Sequence, residues 1–557
     1  MRELFAPLFE ISNKPWFIFA NGILLLLLLN GIVSTGRCRA DLSRSGRFGL
    51  TESSQKVFSD LDSVLYIDAY YSSRIPSEYS SRLEISKGLL QEMAAIGGEK
   101  VALRFHHPDE SPEAARKAQE AGIEPQILER SSRDSASVKQ VYLGISLTLG
   151  NRNEVLSLAF LPEQIEYQVL SSVRKMSRGD RDSGIAVLRT SGSLTLSESS
   201  PPKDRAGIFI RQVLSSEYGP VLEIDLEKDP IPSEVDLVFW IGAGSLSDTA
   251  TLKLDRFLLD GGNLIVLAES MQFQMESSGS GFGLLAGEMG AGLAQRNPNA
   301  SDMIRILEHY GIRIHSDIVL DPDESLPMGA VIELEPGILG RYPYPPWIVT
   351  SRKTESLNSS SPYTKDQENL LLPWTSSLEI LSEKQKNVKY EVLAKSGTEA
   401  ESRAEPISLG EKQLQSVPIR ANGGPFSLAV IGEGRFRSYF SDPQIRSQKG
   451  TLLDTPESKT SRLLVIGTPY LVSDLLAYPD FRDILRNSNI PFFLNMIDLM
   501  RGEDDLVLAR TKDSAILNLK DLPFGLETGI SLFNVFVIPL LLGLYGFRRL
   551  RSRSLSQ

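Results

Sequence analysis

The chain has 557 residues, with 59 Lys and Arg against 70 Asp and Glu, a formal net charge of −11. That acidic balance argues against a protein that lays a basic face on nucleic acid. With 41% hydrophobic and 23% charged residues the composition is globular, and the length allows about three or four folded units. One Cys and four His close off a disulfide framework and leave too few ligands for an ordinary zinc site, so no cofactor or metal is expected.

The chain ends are the most apolar parts. Trp16 to Val33 is almost uninterrupted, and about 20 such residues span a bilayer, so 16–35 is expected to be a transmembrane helix after a cytoplasmic tail at 1–15. It exceeds the apolar core of a signal peptide, and Arg37 directly before Cys38 departs from the small residue of a lipoprotein signal. A second span is expected at 530–547, containing Pro539 and followed by a basic tail at 548–557 with Arg548, Arg549, Arg551 and Arg553. The positive-inside rule keeps those arginines cytoplasmic, which puts the body outside the inner membrane. Arg37, Arg39, Arg44 and Arg47 pull the other way, but the C-terminal cluster is denser and abuts its span. The expected localisation is therefore a two-pass protein of the cytoplasmic membrane with a periplasmic body.

Between these ends, Val64 to Tyr71 reads as a strand and Tyr79 to Ile96 as a helix with Leu83, Leu89, Leu90 and Met93 on one face. Val101 to His106 alternates as a strand, Ser111 to Ala121 is a short helix, and Gln140 to Leu149 with Glu154 to Phe160 forms a hairpin around Gly150-Asn151. That order fits a thioredoxin-like α/β domain over 39–175, without the Cys-x-x-Cys of a redox protein.

After a helix from Glu163 to Lys175 the pattern changes to short apolar strands alternating with helices, the mark of a parallel sheet covered on both faces. The strands are Ile185 to Leu188, Val221 to Leu226, Asp236 to Ile241, Leu264 to Ala268, and, across a long insertion, Phe426 to Gly432 and Arg462 to Gly467. Arg205 to Ser216, Ala250 to Leu259 and Phe492 to Met500 are the helices. Together they define a second α/β domain over 180–500. Gln274 to Asn299 and Pro336 to Ser382, rich in Gly, Ser and Pro, read as long loops.

Little in this framework carries chemistry. No Gly-x-x-x-x-Gly-Lys-Ser/Thr is present, so ATP hydrolysis by that route would need a partner. Gly242-Ala243-Gly244 ends a strand where such sheets hold ligands, yet lacks the third glycine of a dinucleotide fingerprint and reads as a tight turn. Gly-x-Ser-x-Gly occurs only in the low-complexity stretch around Gly279-Ser280-Gly281. His106 and His107 point to opposite faces of a strand, and these with His309 and His315 read as structural. Asp109-Glu110 and Asp504-Asp505 read as solvated charge.

Taken in order, several segments form a recognisable series. They are Arg39-Ala40-Asp41-Leu42-Ser43 with Leu50-Thr51, Val64 to Tyr71 leading to Phe105-His106-His107-Pro108-Asp109, and Glu166-Tyr167 with Leu170-Ser171. Ile231 to Asp236, Asp260-Gly261-Gly262, Tyr310-Gly311-Ile312 with Val319-Leu320-Asp321, and Asn495-Met496-Ile497-Asp498 complete it. The chain thereby resembles the gliding-motility GldG family, auxiliary components of ABC-type transport systems. The resemblance implies a thioredoxin-like first domain and a class I glutamine amidotransferase-like (flavodoxin/Rossmann-like) second domain, with an ABC permease and a cytoplasmic ATPase as partners. An amidotransferase needs a nucleophilic Cys inside its sheet domain; the one Cys here is Cys38, so that chemistry is not expected and no catalytic residue is carried over. The expected function is a non-enzymatic, membrane-anchored auxiliary subunit whose body binds substrate or partner proteins. The competing readings are an envelope or motility scaffold, and a hydrolase using strand-end residues such as Ser245 or Asp442.

Overall fold

In the computed structural model the described residues are 50–59, 61–132, 135–178, 184–274, 292–335, 338–365, 367–404, 406–441 and 458–502. Helix α1 (Glu52–Ser59) precedes a four-stranded sheet built from β1 (Leu65–Tyr71), β2 (Val101–His106), β5 (Leu143–Leu149) and β6 (Arg152–Leu156), in the order β2-β1-β5-β6. Helices α2 (Ser77–Gly97), α3 (Pro112–Glu120) and α4 (Pro162–Arg178) complete this unit. β1 and β2 are parallel, and β5 runs antiparallel to both β1 and β6. Between α3 and β5 the hairpin of β3 (Gln126–Ser132) and β4 (Ser135–Val141) forms a separate two-stranded sheet.

Alternation along β1 decides which face is covered. Leu65, Ile67, Ala69 and Tyr71 join one core with Leu83, Leu89, Leu90 and Met93 of α2 and Ile165, Val169, Val173 and Met176 of α4. The α4 spacing of three and four residues is the helical period that puts these four on one stripe. Ser111 caps α3 by accepting from the Ala114 amide at 3.3 Å, and Pro112 occupies its first turn, where no amide is missed.

The larger sheet begins with β7 (Ile185–Leu188), β8 (Gly192–Ser193), β9 (Leu222–Ile224), β10 (Leu237–Ala243) and β11 (Asn263–Ala268). It is completed by β12 (Ile312–Ile314), β13 (Leu378–Ile380), β14 (Val388–Lys395), β15 (Ser427–Gly434) and β16 (Ser461–Ile466). Five strands are parallel in the spatial order β9-β7-β10-β11-β16, the doubly wound order whose switch point lies between β7 and β10. β15 then runs antiparallel to β16, and β14, β13 and β12 extend that side. The sequence patterns locate β15 and β16 in this sheet but make them all parallel; the return of β15 is a correction, caused by the insertion that brings the chain back from the opposite end.

Every residue of β10 is buried, as a parallel strand covered on both faces requires. Leu237, Phe239 and Ile241 face a core shared with Phe209, Ile210 and Leu214 and with Phe492, Phe493, Met496 and Ile497 of α7 (Ile490–Met500). Val238 and Trp240 face the other core, with Leu254 and Leu258 of α5 (Asp248–Leu259) and Met303, Ile306 and Leu307 of α6 (Ser301–His309). Burying each large apolar side chain contributes about 1.5–3 kcal/mol before ordering costs.

Two expectations are corrected. The span 336–382 is not a loop, because Ile338–Ser351 pairs antiparallel with Ser325–Glu335 on one side and Asn369–Pro373 on the other. Pro345 and Pro346 sit in the irregular stretch between the Pro327–Pro343 and Ser325–Ile348 pairs, where the third strand does not reach. The second correction concerns the membrane: among the described residues no helix is long and apolar enough to cross one, which overturns the expected span at each end and the two-pass inner-membrane placement as features of this structure. The segments 16–35 and 530–547, with their flanking tails, lie outside the described residues.

Candidate functional site

The carboxyl ends of the parallel strands are where folds of this topology place ligands and reacting groups. At the switch point the crevice is filled by the chain itself. After β7 the chain turns back so that Gly192 and Ser193 pair with Ala243 and Gly242 at the end of β10. The Thr190 hydroxyl donates to the Ala243 carbonyl at 2.6 Å, and the Gly244 amide donates to the Asn299 carbonyl at 3.1 Å. Gly242 and Gly244 have φ of 103° and 154°, a region open to glycine, and a Cβ at Gly244 would land inside the Thr190 side chain. The glycine pair is therefore a close-packed turn and holds no open crevice. Ser245 is exposed just beyond it, and the next turn starts α5, where Ser247 accepts from the Ala250 amide at 3.2 Å.

One strand further along lies a cluster with a different character. Glu269 follows β11 directly, and its carboxylate accepts from the Tyr470 hydroxyl and, at 3.2 Å, from Asn297 Nδ2. Burial pushes the Glu269 carboxyl above its ordinary range, opposed by the Tyr470 hydrogen bond and the Lys203 charge. Burial, with the neighbouring Glu269 charge, also raises the Tyr470 phenol. Tyr470 comes from the turn after β16, where the Thr468 hydroxyl holds the Tyr470 amide at 3.1 Å.

Lys203 enters this cluster from a short turn, Pro202–Asp204, and only 5% of it is exposed. Its ammonium lies over the Phe273 ring at 4.8 Å and the Tyr470 ring at 4.9 Å, donates to the Tyr470 hydroxyl at 3.4 Å, and is paired with Asp204. Trp374 packs on both rings, with centroids 4.8 Å from Phe273 and 5.4 Å from Tyr470. The Lys203 turn is strapped down: Ser473 donates to the carbonyls of Pro202 and Lys203 at 2.8 and 2.9 Å. Arg205 pairs with buried Asp474 at 2.9 Å, and Asp474 also accepts from the Ile208 amide at 2.8 Å. Burial raises the Asp474 carboxyl despite that amide and the Arg205 charge.

The other residues singled out by the sequence take structural places. His106 meets Asp68 at 2.8 Å, His107 meets the Tyr71 carbonyl at 3.0 Å, His309 meets the Arg437 carbonyl at 3.1 Å, and His315 lies 3.6 Å from Glu379. Asp109 accepts from the amides of Ser73 and Arg74; burial pushes its carboxyl up, but those amides outweigh it and hold it below the usual range. Cys38, Asp442 and Asp504-Asp505 lie outside the described residues. Lys203, Glu269, Phe273 and Tyr470 were not singled out by the sequence patterns; the one available signal was the acidic residue immediately after an all-apolar strand.

What the fold and these strand ends define is a doubly wound α/β protein whose carboxyl-end crevice is filled by its own side chains. The family model that matches residues 182–496, over half of the chain, is that of an ABC-type uncharacterized transport system, and the chain belongs to that family. Residues 44–148 match a domain of unknown function (DUF7088). An uncharacterized protein of Borreliella burgdorferi is 20% identical over 463 residues, covering 82% of this chain and 81% of the relative. Among solved structures the chain is similar to the mmIFT52 N-terminal domain, at 12% identity, 57% of this chain, 96% of that one and a TM-score of 0.30. It is similar also to a ThuA-like protein from Bacteroides uniformis, at 9% identity, 58% and 93% coverage and a TM-score of 0.28. At those scores neither likeness bears on function.

Proposed function

We propose that the chain is a non-enzymatic auxiliary subunit of an ABC-type transport system of the GldG kind, acting by association with the permease and ATPase subunits. Two folded bodies, 39–175 and 180–500, would provide the surfaces. The observation that carries this reading is the family match, which spans the parallel-sheet body from β7 into α7. The filled strand ends support the non-enzymatic part: a reacting centre needs room for substrate beside its groups, and Thr190, Gly192 and Lys203 occupy that room.

The test is affinity purification of the tagged full chain from a detergent extract of its own cells, with the bound proteins identified by mass spectrometry. An ABC ATPase and a multi-span permease are expected in fixed proportion. Recovery of the chain alone, or with envelope proteins and no ATPase, overturns the assignment.

A further inference from the structure

An ammonium buried between aromatic faces beside a carboxylate has the chemistry proteins use to recognise organic cations. Here that ammonium belongs to the protein itself. Phe273 and Tyr470 supply the faces, Trp374 backs both, and the Glu269 carboxylate closes the polar side through its bond from Tyr470. A purely structural filler would not need a charge, since replacing a buried ion by a well-packed apolar group is often neutral or stabilising. A second, independent observation concerns the wall of the cage. Trp374 holds φ of 48°, a left-handed conformation uncommon for a bulky residue, and keeps it while buried, with its amide donating to the Pro346 carbonyl at 2.6 Å and its indole to the Tyr344 hydroxyl at 3.2 Å. Strain of this kind collects at ligand clamps.

We propose that the Phe273–Tyr470–Trp374 cage with Glu269 is a recognition site for an alkylammonium group, and that Lys203 occupies it as a built-in, displaceable stand-in. The ligand is either a small organic cation or a lysine side chain presented by a partner protein. The turn carrying Lys203 is the movable part. Asp204 at its tip is partly exposed, and the turn is held by the two hydrogen bonds from Ser473 and by the bond from the Thr195 amide to the Asp204 carbonyl; displacement exchanges the Ser473 bonds for water. Displacement moves the ammonium into solvent with Asp204 and leaves the cage walls in place, since these are fixed by strands and by each other.

The test uses the full chain and three probes: n-propylammonium, tetramethylammonium, and a short peptide with one central lysine. Lys203→Ala empties the cage, and the probes should then quench tryptophan fluorescence saturably, at least about tenfold more tightly than in the wild type. Adding Phe273→Leu in the Lys203→Ala background should weaken that binding about tenfold or more, the share expected of one desolvated ring face. In the wild type, saturating probe should speed amide hydrogen exchange across residues 198–208 and leave β10 unchanged. Binding of the peptide as well as the small ions assigns a partner lysine as ligand; binding of the small ions alone assigns a free cation. A folded Lys203→Ala protein with no saturable response overturns the site. Unchanged wild-type exchange at 198–208 overturns the displaceable stand-in. If Lys203→Ala does not fold, Lys203→Met keeps the volume, and the Ser473→Ala variant, which loosens the turn while retaining Lys203, should bind the probes more tightly than the wild type; equal binding there overturns the proposal.

Discussion

Replacing Gly244 by Ala tests whether the switch-point crevice is filled as tightly as its geometry implies. The added Cβ falls on the Cβ of Thr190 as well as on its hydroxyl, so Thr190 must shift bodily and give up its 2.6 Å bond to the Ala243 carbonyl. Overpacking of this kind costs about 2 kcal/mol, the lost hydrogen bond about 1 kcal/mol, and alanine at a φ of 154° about 1 kcal/mol more, so G244A should lose about 4 kcal/mol. Thr190→Gly alone forfeits the hydrogen bond and adds chain entropy, about 2 kcal/mol. The double variant has no overlap left and the hydrogen bond is lost once, so it should lose about 3 kcal/mol, which gives a favourable coupling of about 3 kcal/mol. Urea unfolding followed by tryptophan fluorescence reads this, because Trp240 is fully buried in the same strand. Additive losses, within about 0.5 kcal/mol, refute the filled crevice.

Asp255 accepts from the Tyr310 hydroxyl, the Ser438 hydroxyl and the Tyr439 amide at 2.5, 2.6 and 2.7 Å, so Asp255→Ala should strand three buried donors and cost about 3–5 kcal/mol in urea unfolding, while Asp255→Asn costs less. The Glu269 carboxyl is raised in the folded chain, so the folded state binds its proton more tightly than the unfolded state. Its contribution to stability is therefore greatest below the ordinary carboxylate value and falls as pH rises from there toward the folded value. Glu269→Gln should remove that fall, and its stability relative to the wild type should increase as pH rises above the ordinary carboxylate value of about 4; parallel stability curves for the two proteins would contradict the buried setting of Glu269. Trp240→Ala, at a position with no exposure between two covered faces, should cost about 3–5 kcal/mol in urea unfolding; a loss under about 1 kcal/mol would contradict that place.

The parallel strands were legible because burial on both faces leaves a plain imprint: DLVFWI and NLIVLA are apolar runs bounded by turns, and the structure places strands at Leu237–Ala243 and Asn263–Ala268. The glycine pair at 242 and 244 was legible as a tight turn for the same local reason. β14 was not singled out, since VKYEVLAK mixes charged and apolar positions, as befits a strand that is only partly buried. The prolines of 343–346 masked a strand because their cost applies only to a ladder that continues on both sides, which sequence alone does not show. The cage was illegible for a different reason. Lys203, Trp374 and Tyr470 come from turns far apart in the chain, Glu269 and Phe273 from the segment after β11, and the Lys203–Tyr470 contact spans 267 residues. No periodicity links them, and each residue alone is ordinary.

The parallel pairing of β11 with β16 joins Leu264 to Leu463, and the adjoining bond from the Arg462 amide to Asn263 spans 199 residues. Closing a loop of that length costs about 5 kcal/mol of chain entropy, all of it before the pairing returns anything. During synthesis, at about 5–20 residues per second, the edge of β11 has emerged for about 10–40 s before β16 can cover it. Through that interval the nascent chain carries LIVLA with an unpaired ladder, the kind of edge that recruits other strands. The insertion between the two strands therefore sets a timing problem in the cell, and any message truncated between codons 268 and 461 yields a chain whose central sheet can be completed only by another molecule.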